Sequence, residues 1–319
     1  MGAQDGRTLP VLRACELEVQ EPEERWLIEG LWARSAIGLI GGAPKCCKSW
    51  FGLEMAVSVA SGTPALAHFP ASTSGAVLVY LAEDSLPQVR DRVDALCKSR
   101  GLDIATLDLL VITATSLRID LAGDQERLAA TIDVLRPRLL ILDPLVRIHR
   151  LDENSSSEIS GLLGYIRDLQ RRFDVAVVLV HHASKKARAQ PGQALRGSSD
   201  LHAIGDSNAY LARRGDRLLL TLEHRAARSP EPMEIELVVD SERGTAQLRV
   251  CEQQLDQTSS RERKLSDHVL ELLARECRAI PRTEIRSLLR VNNQRLGDVL
   301  DQLARTGAIR RSSDGWARS

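Results

Sequence analysis

Gly42–Ser49 reads GAPKCCKS; it follows the apolar run Ala36–Gly41 (AIGLIG) and opens a segment of helical period, Lys48–Ser61. A strand, a tight turn and a helix N-terminus in that order make a phosphate cradle. Backbone N–H groups of the turn wrap a β-phosphate, Lys48 reaches the β- and γ-phosphates, and the Ser49 hydroxyl ligates Mg²⁺. The pattern GxxxxGK[ST] asks for glycine at position 47, where this chain has cysteine. That position needs close backbone approach, so a side chain there weakens the cradle or the turn. The cofactor-binding set is Gly42, Ala43, Pro44, Lys45, Cys46, Cys47, Lys48, Ser49 and Trp50, with ATP and Mg²⁺ as the expected ligands. Cys47 also sits beside Lys48 at a helix N-terminus, which predicts a thiolate-prone, reactive thiol.

Outward from that turn, short apolar runs alternate with helical segments. The runs are Ala76–Leu81, Leu107–Ile112, Leu139–Leu142 and Val175–Val180; the segments are Ser85–Arg100, Asp124–Leu135 and Ser156–Phe173. This alternation predicts an α/β fold with a mostly parallel sheet covered by helices on both faces. Four further strands, Ala209–Arg213, Arg217–Glu223, Glu234–Asp240 and Thr245–Val250, follow, the last two as an antiparallel hairpin that finishes the sheet. Cys251–Ser260 is polar and reads as a linker. Beyond it, helices over Lys264–Arg275, Thr283–Leu289 and Asn293–Arg305 and a turn at SSDGW predict a small winged-helix domain. The expected division is residues 1–255 and 262–319.

Two acidic elements belong to the phosphate site. LLILD (Leu139–Asp143) is an apolar strand ending in a carboxylate that holds Mg²⁺, directly or through water. VLVYLAED (Val77–Asp84) places Glu83 at the end of the strand next to the P-loop, where it accepts a proton from an attacking water.

Together WLIEGL before the P-loop, GAPKCCKSW, VLVYLAEDS, LLILDPL and VLVHHASKK resemble the RepA-like hexameric helicase ATPases of plasmids and mobile elements, over about residues 26–225. The resemblance implies a RecA-like core with the nucleotide between subunits of a ring, acting on DNA in plasmid replication. It implies that Lys48 and Ser49 are the P-loop pair, Glu83 the catalytic glutamate, Asp143 the second metal ligand and His182 a γ-phosphate sensor. A cation from the neighbouring subunit completes such a site; Arg196, Arg213, Arg214 and Arg225 are the candidates. Cys47 departs from the family pattern and bears on the rate of hydrolysis.

DNA contact is expected on the loops after the LLILD strand and the next strand, Arg147–Ser157 and Ser184–Gly197. The second carries Lys185, Lys186, Arg188 and Arg196 without aromatics, which suits single-strand backbone phosphate rather than base readout. Arg290, Arg295, Arg310 and Arg311 offer cations in the C-terminal segment, opposed by Asp298 and Asp301. The chain is formally neutral, which argues against a protein that coats nucleic acid, and 3% aromatics gives no stacking platform. Six cysteines without CxxC spacing give no zinc framework, and the N-terminus has no apolar leader, so a cytoplasmic protein with reduced thiols is expected. The leading function is an ATP-hydrolysing, helicase-like translocase. The runner-up is an ATP-dependent DNA-binding ring or filament with little hydrolysis, and a third reading is a regulatory ATPase without a nucleic-acid partner.

Overall fold

The apolar run before the P-loop is the central strand of a nine-stranded sheet. The structure is a computed structural model that describes residues 11–16, 22–153, 155–182, 199–215, 217–251, 265–276, 278–289, 291, 293–312 and 315–318. The loop 184–197 with Lys185, Lys186, Arg188 and Arg196, the linker after Cys251, and Arg290 lie outside the described residues, as does the side chain of Arg295. The chain divides into two units, Met1–Val250 and Cys251–Ser319.

The first unit begins with a small antiparallel hairpin, β1 (Trp26–Ile28) and β2 (Trp32–Ala33). Then follow β3 (Ile37–Gly42), α1 (Lys48–Ser61), β4 (Val77–Leu81), α2 (Leu86–Lys98), β5 (Leu109–Val111), α3 (Ala122–Leu135), β6 (Leu139–Asp143), α4 (Ser156–Phe173), β7 (Ala176–His182) and α5 (Ser199–Ala203). The unit ends with β8 (Ser207–Arg214), β9 (Arg217–His224), β10 (Met233–Asp240) and β11 (Thr245–Val250). The sheet order is β11-β10-β9-β8-β3-β7-β6-β4-β5, parallel from β8 to β5 and antiparallel from β8 to β11. Glu83's strand, β4, is therefore not next to the P-loop strand. The crossover through α1 skips two positions, and β7 and β6 fill them.

Every residue of β3 and β6 is buried because helices cover both faces. Alternate strand residues divide between two cores. Ile40, Ile141 and Val178 meet Phe51, Met55 and Val59 of α1 on one face. Leu39, Leu140 and Val177 meet Ile159, Leu162, Ile166 and Leu169 of α4 on the other. The 3–4–3 spacing of the α4 residues is one face of a helix. Gly38 lets β8 approach: a Cβ there would lie 1.5 Å from the Ser207 carbonyl oxygen. Helix α2 starts on a reciprocal cap, Gln88 N–H donating to Ser85 Oγ and Ser85 N–H donating to Gln88 Oε1. The antiparallel end of the sheet folds back over α1. Leu248 and Val250 join the cluster of Met55 and Leu66, and Val250 N–H donates to the Leu66 carbonyl at 3.3 Å.

In the second unit, α6 (265–276), α7 (Arg282–Leu289) and α8 (Asn293–Arg305) precede an antiparallel pair, β12 (Ile309–Ser312) and β13 (Gly315–Arg318). Val269, Leu273, Ile285, Leu296, Val299 and Leu300 form its core. Trp316 exchanges two backbone hydrogen bonds with Ile280, tying the hairpin to the segment before α7. Among the described residues no helix is long and apolar enough to cross a membrane.

Candidate nucleotide site

Adjacent strands β3, β7 and β6 end on Gly42, His182 and Asp143, so the sheet itself gathers the candidate residues at its C-terminal edge. That edge is where open α/β sheets bind ligands. Gly42 is demanded by its neighbour as much as by a phosphate: a Cβ would lie 2.4 Å from the Leu211 carbonyl oxygen of β8.

The turn that follows is wound left-handed at two non-glycine residues, Lys45 at φ 65° and Cys47 at φ 58°. Cys47 is the N-cap of α1 but makes no side-chain cap; it adopts the conformation for which glycine is the low-energy residue. Two cations brace the turn: Lys48 Nζ donates to the Ala43 carbonyl at 2.9 Å, and Arg213 Nη2 donates to the Lys45 carbonyl at 3.1 Å. Ala43, Pro44 and Lys45 are exposed, Cys46 is buried in the α1 core, and Lys48 is buried. Burial lowers the pKa of Lys48, against the raising pull of Cys46, Asp143 and Glu83.

Asp143 is buried beside Ser49, whose hydroxyl bonds its carboxylate. Burial raises the Asp143 pKa to about 6, with Asp84 and Glu83 adding to the rise and Lys48 opposing it. A hydroxyl and a carboxylate side by side at the start of α1 are the hard oxygen donors that Mg²⁺ takes, so these residues fit the ion. His182 is half-buried, and its pKa is lowered first by burial and then by Lys48, which keeps the imidazole neutral near pH 7. Its Nδ1 is buried with no hydrogen-bond partner among the described residues.

Glu83 is at the rim, its side chain 46% exposed, and accepts from Arg147 Nε at 2.7 Å. Its neighbour Asp84 accepts from Arg92 at 2.6 Å, and the Arg92 guanidinium covers the Trp50 ring at 5.5 Å. Trp50 thus turns toward α2, where it joins the cluster of Leu53 and Val89. Arg225 is at the opposite end of the sheet, paired with Asp206 at 3.2 Å, away from its own P-loop. Arg213 faces its own P-loop.

The surroundings of Cys47 work against the expected reactive thiolate. Burial raises this thiol's pKa and outweighs the lowering by Arg213, Lys48 and Arg92. Sequence reasoning also passed over a buried group beside the site: Glu153 Oε1 lies 3.7 Å from both His149 Nε2 and His181 Nδ1. The signal available was the pair His181-His182 at a strand end. Arg92 and Arg147 were invisible as partners because their contacts with Asp84 and Glu83 depend on where α2 and the β6–α4 loop begin.

Comparison with known proteins places this geometry. Residues 6–188 match the AAA domain family AAA_25, a stretch that includes β1 through β7. A solved ATPase domain is similar with a TM-score of 0.52 at 14% identity, over 67% of this chain and 85% of that one. A DnaB-like replicative helicase, solved with attention to its interactions with primase, is similar at the same TM-score and identity, over 67% of this chain and 57% of that one. The fold is that of a RecA-like P-loop ATPase, and the chain belongs to the AAA domain family that residues 6–188 match.

Proposed function

We propose that this protein binds and hydrolyses ATP and acts on DNA as a ring-forming, helicase-like translocase of the RepA-like kind. The observation that carries the reading is the convergence of Lys48, Ser49, Asp143 and His182 at the ends of three adjacent strands. In this reading Gly42–Cys47 wrap the phosphates, Lys48 leaves the Ala43 carbonyl to meet the β- and γ-oxygens, and Trp50 fixes the start of α1 against α2. Mg²⁺, held by Ser49 and Asp143, would neutralise charge developing on the phosphate oxygens. Glu83 accepts the proton of the attacking water once Arg147 releases it. His182, neutral, contacts the γ-phosphate. Arg213 braces its own P-loop, and a neighbouring subunit supplies the remaining cation, with Arg196, Arg214 and Arg225 as the candidates. The basic loop 184–197 meets single-stranded DNA, and residues 262–319 act as a winged helix that contacts DNA or a partner protein.

A second reading, a DNA-binding ring with little turnover, is favoured by the left-handed Cys47 in the cradle. ATP turnover measured with and without single-stranded DNA separates them. DNA-stimulated turnover is the expected result. ATP-dependent DNA binding without turnover supports the slow ring, and turnover indifferent to DNA overturns both.

A further inference from the structure

The three strands that carry the nucleotide site carry a second polar cluster at their other ends. Arg34 and Ser35 precede β3, Asp174 precedes β7 and Arg138 precedes β6. Arg34, Asp174 and Arg138, together with Arg136 and Phe173, border a cleft of about 220 Å³. Six strand residues at about 3.3 Å each put it on the order of 20 Å from the P-loop.

Three guanidinium groups meet at this cleft, and their described contacts are few. Arg34 Nη2 lies 3.3 Å from Asp174 Oδ2, with both side chains well exposed at 43% and 65%. Arg138 Nη1 donates to Thr73 Oγ1 at 2.9 Å. Arg136 pairs with Asp133 and donates from Nε to the Asp133 carbonyl at 2.8 Å. Each guanidinium has five N–H donors, and these contacts use one or two of them. Arg136 lies over the Phe173 ring at 5.8 Å. Three cations, Arg34, Arg136 and Arg138, and one carboxylate, Asp174, line the cleft.

Arg136 (φ 46°) and Asp174 (φ 52°) are the left-handed C-caps of α3 and α4, a common way for a helix to end, so two helix ends deliver cleft residues. The Ser35 hydroxyl bonds the Asp174 carbonyl at 3.2 Å and also its carboxylate, which holds that corner in place.

We propose that this cleft is a second anion site, taking one phosphate group on the forks of Arg34 and Arg136 with Arg138 beside them. The volume is below the roughly 300–1,000 Å³ of pockets for whole organic ligands, so it admits the group without base and ribose. Guanidinium donors left over from these contacts suit a tetrahedral oxyanion, and the phosphate takes over Arg34 from the exposed Asp174 carboxylate. The group is either free inorganic phosphate or one backbone phosphate of a nucleic-acid strand. This inference does not rest on the nucleotide site.

The test is calorimetric titration of the full chain carrying Lys48→Ala, which removes the P-loop cation, first with sodium phosphate and then with an oligothymidylate strand. The same chain with Arg34→Ala and Arg136→Ala added is the comparison; both arginines are exposed, so the fold survives. We expect the added changes to weaken binding about tenfold or more, the usual worth of a charge-assisted contact. A loss with sodium phosphate identifies free phosphate as the ligand, and a loss confined to the oligonucleotide identifies a backbone phosphate. Arg34→Lys with Arg136→Lys keeps the charge without the fork and is expected to bind between the two. Equal binding by the parent and the alanine variant in both titrations, or no binding by the parent in either, overturns the site.

Discussion

Cys47 combines two demands that glycine would meet more easily. Its φ of 58° and ψ of 27° cost a non-glycine residue about 1–2 kcal/mol, and its Cβ stands at the turn that faces the phosphates. Cys47→Gly relieves the strain but gains conformational freedom in the unfolded chain worth about 0.4–1 kcal/mol. Net stability should therefore move by less than about 1 kcal/mol in urea, while nucleotide affinity or turnover rises. Cys47→Ala keeps the Cβ and should behave as the wild type does; if it matches Cys47→Gly, backbone strain has no part in the effect. Lys48→Ala deletes contacts worth about 1.5–3 kcal/mol each and should abolish ATP binding at micromolar nucleotide, and unchanged affinity by calorimetry would show that the turn is no cradle. Asp143 gives a pH signature. Its folded pKa, about 6, stands above its ordinary value, so between the two the folded chain holds a proton that the unfolded chain has lost. Stability from this group is present at low pH and falls as pH rises through that window. A metal ion must displace the same proton, so Mg²⁺-ATP affinity should rise about tenfold per pH unit below 6 and level off above it. A flat profile across about pH 5 to 7 would remove Asp143 from the ligand set.

Between elements, α1 is joined to the turn just after α2 by a buried ion pair, Glu54 with Arg100. Glu54 also accepts from Leu66 N–H at 2.8 Å, and its side chain is wholly buried. Burial raises the Glu54 pKa against the pull of Arg100, which marks a charge that depends on its partner. Arg100→Ala should destabilise the chain by about 3–5 kcal/mol in urea unfolding, and Glu54→Leu with Arg100→Leu by much less. If the single change is as mild as the double, the pair is not coupled. At the rim, Glu83→Gln should leave nucleotide binding intact and slow turnover by roughly 10²–10⁴-fold. Normal turnover would mean that another carboxylate is the base. Much of this layer was legible beforehand. Lys48–Ser61, Ser156–Phe173 and Thr245–Val250 end where the pattern of apolar residues ends. The neighbours of β4 were not, because strand order is set by long-range pairing that no local period encodes. The β1–β2 hairpin escaped for a related reason: strands of three and two residues are too short to show an alternation. The pKa of Cys47 escaped because its burial depends on how the turn winds, whereas its charged neighbours can be read from the chain.

At the scale of the molecule, the proposed cation from a neighbouring subunit makes assembly part of the mechanism. We expect a ring or filament favoured by a non-hydrolysable ATP analogue and visible in sedimentation; a strict monomer with full activity would refute it. The first unit also closes late as the chain is made. Residues Met55 and Leu66 share a cluster with Leu248 and Val250, the last strand of the sheet. A ribosome adds about 5–20 residues each second, so roughly 10–40 s separate the emergence of α1 from that of β11. Through that interval the apolar face of α1 lacks part of its cover, and nascent chains halted before Thr245 present it to any holdase within reach. Release of the final six-residue strand is the moment at which the nucleotide domain can first close.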